Sequence, residues 1–253
     1  MTTVKEARFE ARTSPSPRAG GQARAPRLRD LAEVRGLAYR LVSELFLYPD
    51  PERVGILATS VPELRRRSRP FDDLASAYSW HAMLNAVDRI TDESLGAMAA
   101  DHASLFLVGS AEASCPPCES AYSRRGGVEA GWITAQLELT YSMAGLTART
   151  GAEPPDHIAV ELGFVSVLCR EEANAWQTDR PRDAGAWLKR QRAFLDARLV
   201  RWLPAFTARL SRVAPSSFYA DLAANTFAYT SHDREFIAAL SAHVSSLAKE
   251  AER

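Results

Sequence analysis

Apolar residues recur at intervals of three and four along most of the chain from Leu31, and prolines, glycines and short polar runs cut that recurrence into helix-length segments. Leu31, Val34, Leu37, Ala38, Leu41, Val42, Leu45 and Phe46 form the first stripe. Asp30 and Glu33 are spaced like a capping box at its start, and Tyr48-Pro49-Asp50-Pro51 stops it. A short helix is expected from Pro51 to about Ala58, because proline suits the first helical position and Asp50 precedes it. The basic run Arg65-Arg66-Arg67 reads as a solvated helix end rather than a phosphate or peptide site. Pro70-Phe71-Asp72-Asp73 opens a helix carrying Met83, Leu84 and Val87; Thr91-Asp92-Glu93 opens another, running through Met98, His102, Leu105 and Phe106 to a glycine cap at Gly109.

Ser110 to Gly127 has no periodicity, and loops of that size in compact domains are usually functional or disordered. Helix resumes near Val128 with Ile133, Leu137 and Tyr141 and ends at Thr150-Gly151. The next begins at Glu153-Pro154-Pro155-Asp156: Pro155 disfavours the α region at the residue before it, and Asp156 suits the cap. Ile158, Leu162, Val165, Leu168 and Cys169 then face a core as far as Trp176 or Arg180. Later helical segments are expected to break at Pro181, Pro204 and Pro215 and to restart near Ser231. No hairpin strands, glycine-rich phosphate loop or internal repeat interrupts this pattern. The fold class is all-α, a single globular bundle of roughly eight to eleven helices.

Composition sharpens that picture. A chain of 253 residues with 46% apolar residues can bury a full core. Lysine plus arginine and aspartate plus glutamate both total 31, but residues 1–29 hold Lys5 and six arginines against Glu6 and Glu10, which leaves the remainder at net −5. Residues 1–27 are therefore expected to be a disordered basic tail and 28–253 one helical domain. An acidic body argues against nucleic acid and favours a cationic partner. No apolar run reaches the ~18 residues of a membrane span. The start of the chain lacks the pattern of a secretory or twin-arginine signal, and three cysteines suit a reducing compartment, so the expected location is the cytoplasm.

Candidate chemistry gathers in two places. Glu153, Asp156, His157 and Glu161 crowd one helix start, which capping and a surface ion pair would explain if they stood alone. Cys115-Pro116-Pro117-Cys118 has the spacing of a dithiol or half a zinc site, but no strand feeds it and two further ligands at motif spacing are missing. The histidines have neither a nucleophile elbow nor a zincin pair beside them. No catalytic residue, metal or cofactor is expected; the alternative is a small thiol-redox or metal-binding protein using Cys115 and Cys118.

Three stretches change the weight of the acidic cluster. His102-Ala103-Ser104-Leu105-Phe106, Pro116-Pro117-Cys118-Glu119-Ser120-Ala121-Tyr122 and Glu153-Pro154-Pro155-Asp156-His157 together resemble the signature of the TorD/DmsD/NarJ family, the maturation chaperones of molybdenum-cofactor oxidoreductases. In that family an aromatic-x-x-Leu-Phe helix end, a Pro-Pro-aromatic-x-Ser loop and a Glu-x-x-Asp-His helix start come in this order. Cys118 departs from it, standing where an aromatic residue is usual. Tyr39 to Pro49 also looks like the family's first helix, and the resemblance extends over roughly residues 30 to 230. The length and the Cys-Pro-Pro-Cys loop look closer to the dimethylsulfide, ethylbenzene dehydrogenase and chlorate reductase branch than to the shorter nitrate-reductase chaperones.

The resemblance implies a TorD-like bundle. It also implies a chaperone, monomer or homodimer, that binds the apo catalytic subunit of a molybdenum oxidoreductase and its twin-arginine leader until the cofactor is inserted. Asp156 and His157 belong by resemblance to the peptide site. Glu119, Glu153, Asp156 and Glu161 would meet the arginines, and Leu105, Phe106, Pro116, Pro117 and Tyr122 the apolar part, with His102, Cys118 and Ser120 beside them. The two motif regions are expected to face each other across one groove.

Overall fold

The structure is a computed structural model that describes residues 25–251 apart from 109, 111, 124–126 and 147–152. The described residues form nine α-helices: α1 (Ala25–Leu45), α2 (Pro51–Ser68), α3 (Ala77–Asp88), α4 (Asp92–His102), α5 (Gly127–Met143), α6 (Ile158–Gln177), α7 (Pro181–Ala197), α8 (Leu199–Val213) and α9 (Phe218–Ala251). Their only extended pairing is an isolated antiparallel bridge between Cys118 and His157. The expected all-α bundle is what the chain forms, and no helix among the described residues is long and apolar enough to cross a membrane.

The central pair is α1 against α6, with α7 joining α6 to α9, and α3 and α8 lying on α9. The two central helices approach closely because small residues face each other. A Cβ on Gly36 would stand 3.3 Å from Cys169 Cβ, and one on Gly163 3.4 Å from Ser43 Oγ. Hydroxyls lock the crossing from both sides: Ser166 Oγ donates to Gly36 O at 2.8 Å and Ser43 Oγ to Ala159 O at 2.7 Å.

Arg35, on the core side of α1, ties four helices together. Its guanidinium donates to Asp233 at 2.6 and 3.0 Å, to Glu172 at 2.9 Å and to Gln191 at 2.6 Å. Tyr39 also donates to Asp233 (2.8 Å), and Trp176 and Gln191 donate to Glu172 (3.1 and 2.9 Å). Every member is buried. A buried charge is tolerated only when its hydrogen bonds are met, as they are here.

Several boundaries differ from the sequence expectation, for physical reasons. α1 begins at Ala25, so Asp30 lies inside it and pairs with Arg29 instead of capping; residues 1–24 of the expected tail lie outside the described residues. Pro62 and Pro204 sit inside α2 and α8. Both are exposed, while the buried stripes Val54, Leu57, Val61, Leu64 and Leu199, Trp202, Leu203, Phe206, Leu210 continue on the core side, so each proline forfeits little beyond one hydrogen bond. The expected helix at Pro70 is a 3₁₀ turn, Arg69–Phe71, before α3. α9 passes through Ser231 unbroken, its hydroxyls satisfied by carbonyls of the preceding turn. Arg65–Arg67 close α2 with ion pairs to Asp88, Glu63 and Glu33, the structural role expected of them. α4 ends at His102 and passes into a turn of π-helix, short of the expected cap at Gly109, and α5 ends at Met143, short of Thr150-Gly151, with Gly145 at positive φ after it; Gly109, Thr150 and Gly151 themselves lie outside the described residues.

Candidate functional site

The two motif regions meet edge to edge. Ile158 N donates to Pro117 O at 2.8 Å and Glu119 N to Asp156 O at 2.9 Å, on either side of the Cys118–His157 bridge. Asp156, expected as the helix cap, instead turns its carboxylate to the other segment and accepts from Ser120 N at 3.0 Å. The cap of α6 is His157, whose Nδ1 accepts from Ala159 N at 3.1 Å. An accepting Nδ1 makes the ring neutral with its proton on Nε2. Burial, followed by the nearby His102, pushes the pKa of His157 down to about 4. Nε2 stands 3.8 Å from the half-exposed Glu153 carboxylate.

The end of α4 supports this joint from below. The chain continues as a π turn, Ala103–Leu107, a geometry recurrent at functional sites, and Cys115 N donates to Leu105 O at 2.6 Å. His102 Nε2 donates to Phe46 O at 3.2 Å, and its ring packs edge-on against Tyr48, Phe106 and Tyr219. Leu105, Phe106 and Pro117 are buried. Tyr122 stacks on Trp202 with ring centroids 5.6 Å apart. These side chains serve the core under the joint, while Pro116, Cys118, Glu119, Ser120 and Tyr122 are partly exposed.

Glu119 and Glu161 form the electrostatic centre of the region. Glu161 is fully buried, accepts from Trp202 Nε1 at 3.3 Å and leaves its second oxygen without a partner. Burial, then the nearby Glu119, pushes its pKa well above the usual carboxylate range, so it favours the neutral acid. Glu119 is raised chiefly by burial against the opposing effect of Arg198, which lies 3.4 Å away and donates to Gln136 at 2.8 Å. One oxygen of Glu119, the Tyr122 hydroxyl and His102 Nδ1 are likewise buried without partners. Beside this group a cleft of about 550 Å³ opens between α5 and α8, lined by Glu119, Tyr122, Trp132, Gln136, Arg198 and Trp202 among others.

Cysteine chemistry gains nothing from the geometry. Burial, reinforced by Asp156, Glu153 and Glu161, pushes the Cys118 thiol up to about 12, and burial raises Cys115 as well, so neither is a ready thiolate. Among the described residues no group of three or more histidine, cysteine or carboxylate side chains is placed to hold a metal.

Sequence reasoning missed Arg35, Gln136, Arg198 and the position of Trp202. Arg198 sits at the α7–α8 break, which carries neither proline nor glycine to mark it. Arg35 did leave a signal, a charge one turn from Ala32, Ala38 and Tyr39 on the core face.

An all-helical body whose His102–Tyr122 and Asp156–His157 regions interlock defines a class that sequence comparison also finds. The sequence profile of the family described as "Nitrate reductase delta subunit" matches residues 71–208, more than half of the chain. The chain belongs to that family, the TorD/DmsD/NarJ group its motifs resemble. It is similar to the chaperone protein TorD of Shewanella pealeana, 28% identical over 58% of this chain and 63% of that protein. It is similar too to TorD of Shewanella sp. strain ANA-3, 27% identical over 81% of this chain and 95% of that protein. A crystal structure of a candidate redox enzyme maturation protein from Archaeoglobus fulgidus aligns with a TM-score of 0.44 and 24% identity, over 76% of this chain and 91% of that one.

Proposed function

We propose that the chain is a cytoplasmic maturation chaperone without catalytic turnover. It binds the apo catalytic subunit of a molybdenum-cofactor oxidoreductase, with that subunit's twin-arginine leader, and holds it for cofactor insertion before assembly or export. Family membership and the TorD relatives support the general role. The observation that carries the reading is the joint itself: Glu119, Ser120, Asp156 and His157, motif residues from distant parts of the chain, are brought together beside an open cleft with several buried polar atoms unsatisfied. Structural polar groups are normally satisfied, so an unfinished cluster favours a site completed by a partner.

Affinity purification from cells making molybdoenzymes, read by mass spectrometry, should recover an apo catalytic subunit. Titration of a synthetic leader should show binding that weakens when both arginines become glutamine and at higher salt. Equal affinity for the two leaders would remove the charged half of the reading, and an unchanged affinity in folded Glu153→Gln and His157→Asn variants would move the site elsewhere.

A further inference from the structure

Two clefts lie end to end on one side of α5. The 550 Å³ cleft described above is followed by one of about 370 Å³ lined by Thr140, Met143, Phe164, Leu168, Arg190 and Phe194 among others, and both are bounded by Ala197 and Arg198. On α5 the lining residues Trp132, Gln136, Thr140 and Met143 are spaced four, four and three apart, which is one face of a helix. Facing them, Arg190, Ala193 and Ala197 lie on one face of α7, and Arg201 follows on α8 beyond the break at Arg198. Together they are two walls of one groove, divided where the Arg198 side chain crosses to Gln136. From Trp132 to Met143 it is ~16 Å long, three turns of a helix at 1.5 Å per residue.

The lining specifies what would fit. Trp132 and Met143 are 57% and 77% exposed at opposite ends, the floor holds Phe164, Phe194 and Trp202, and Ala193 and Ala197 let another backbone come close. The charges are one-sided. Arg190, Arg198 and Arg201 line the groove, against the single carboxylate of Glu119. Arg190 rests on the Trp187 ring with its charge unpaired by any described carboxylate, Arg201 makes no described side-chain hydrogen bond and acts on Glu119 through its charge, and Arg198 uses only two of its five N–H donors. In a body of net charge −5 this local excess of cations stands out.

We propose that this groove docks an apolar helical segment of a partner protein bearing acidic residues on its flanks. It would be a second contact, of opposite charge preference to the arginine-bearing leader, and it shares with the leader site of the proposed function the end of the groove at Glu119 and Tyr122. The groove supplies apolar depth for one face of the segment and arginines for carboxylates along its edges.

The test is a titration, at low and high salt, of the full chain with a labelled amphipathic helical peptide carrying leucines on one face and glutamates beside them. Its counterpart has every glutamate changed to lysine. The glutamate peptide should bind at least tenfold more tightly than the lysine peptide at low salt. Met143→Ser should weaken it, and Arg190→Glu combined with Arg201→Glu should reverse the preference. All three substitutions are at exposed positions, and Arg190→Gln with Arg201→Gln replaces the reversal if the melting temperature falls. A twin-arginine leader should bind Met143→Ser as it binds the wild type. Equal affinity for the two peptides, no binding of either, or loss of leader binding in Met143→Ser would each overturn the proposal. So would self-association of the chain that Met143→Ser abolishes, because a second copy would then be the occupant.

Discussion

The molecule buries two polar clusters of similar size and treats them in opposite ways. Around Arg35 one guanidinium answers two carboxylates, and the main donors and acceptors are met by helices α1, α6, α7 and α9. Around Glu161 two carboxyl groups and the nearby Tyr122 each retain an unsatisfied atom, and Arg198 and Arg201 offer their compensating charge to Glu119. Both cost desolvation. The first recovers it inside the fold and sets the register of four helices. The second does not, and its deficit lies beside a cleft. A closed network belongs to the architecture, whereas an open one needs something from outside or a proton.

That difference can be broken deliberately. The largest effect is expected for Arg35→Met, which strands Asp233 and Glu172 without their cation and should cost about 3–5 kcal/mol in urea unfolding. A loss below about 1 kcal/mol would show that the network is not what holds the helices. Asp156→Ala leaves the Ser120 amide without its partner and should cost about 1–3 kcal/mol, with the α6 cap at His157 intact.

Glu161→Gln should act with the opposite sign. Its folded pKa is raised, so the native state is favoured below the ordinary carboxylate range and loses stability as pH climbs through the folded value. The glutamine variant should therefore be more stable than wild type at pH 8 and lose that advantage below about pH 4.5. Denaturation at the two pH values decides it, and a variant less stable at pH 8 contradicts the open-cluster picture.

His157 titrates the other way. Its folded pKa is about 4, below the unfolded value near 6.5, so its contribution is complete above the latter and lost as pH falls toward the former. His157→Asn, which can still cap, should flatten the stability slope in that window. The smallest effect is expected at Leu139→Ser, an exposed position on α5 outside both clusters, where stability should change by no more than about 0.5 kcal/mol.

The sequence made the joint foreseeable but not its form. Apolar spacing located α6 and its buried face, and motif order indicated that Pro117–Ser120 and Asp156–His157 belong together. Whether they would face across a groove or pair by backbone depended on where Asp156 pointed, and spacing does not encode that. Pro204 misled because a proline's cost depends on which side of a helix it occupies, and it lies on the outside of α8. Arg198 escaped notice because it acts through Glu119 and Gln136, distant in sequence and brought near only by the packed bundle.

The Cys118–His157 pairing also fastens both ends of the α5 excursion at one point. A segment held this way is closed by its own base, and lengthening such a loop costs only about 0.6 kcal/mol per doubling. The connections flanking α5 can therefore lengthen over evolutionary time at little cost, whereas Ile133, Leu137 and Tyr141 hold α5 itself to the core and to Phe164 of α6. Relatives with the same bundle and the same joint should differ most in length between these two anchors, where an insertion disturbs the fold least.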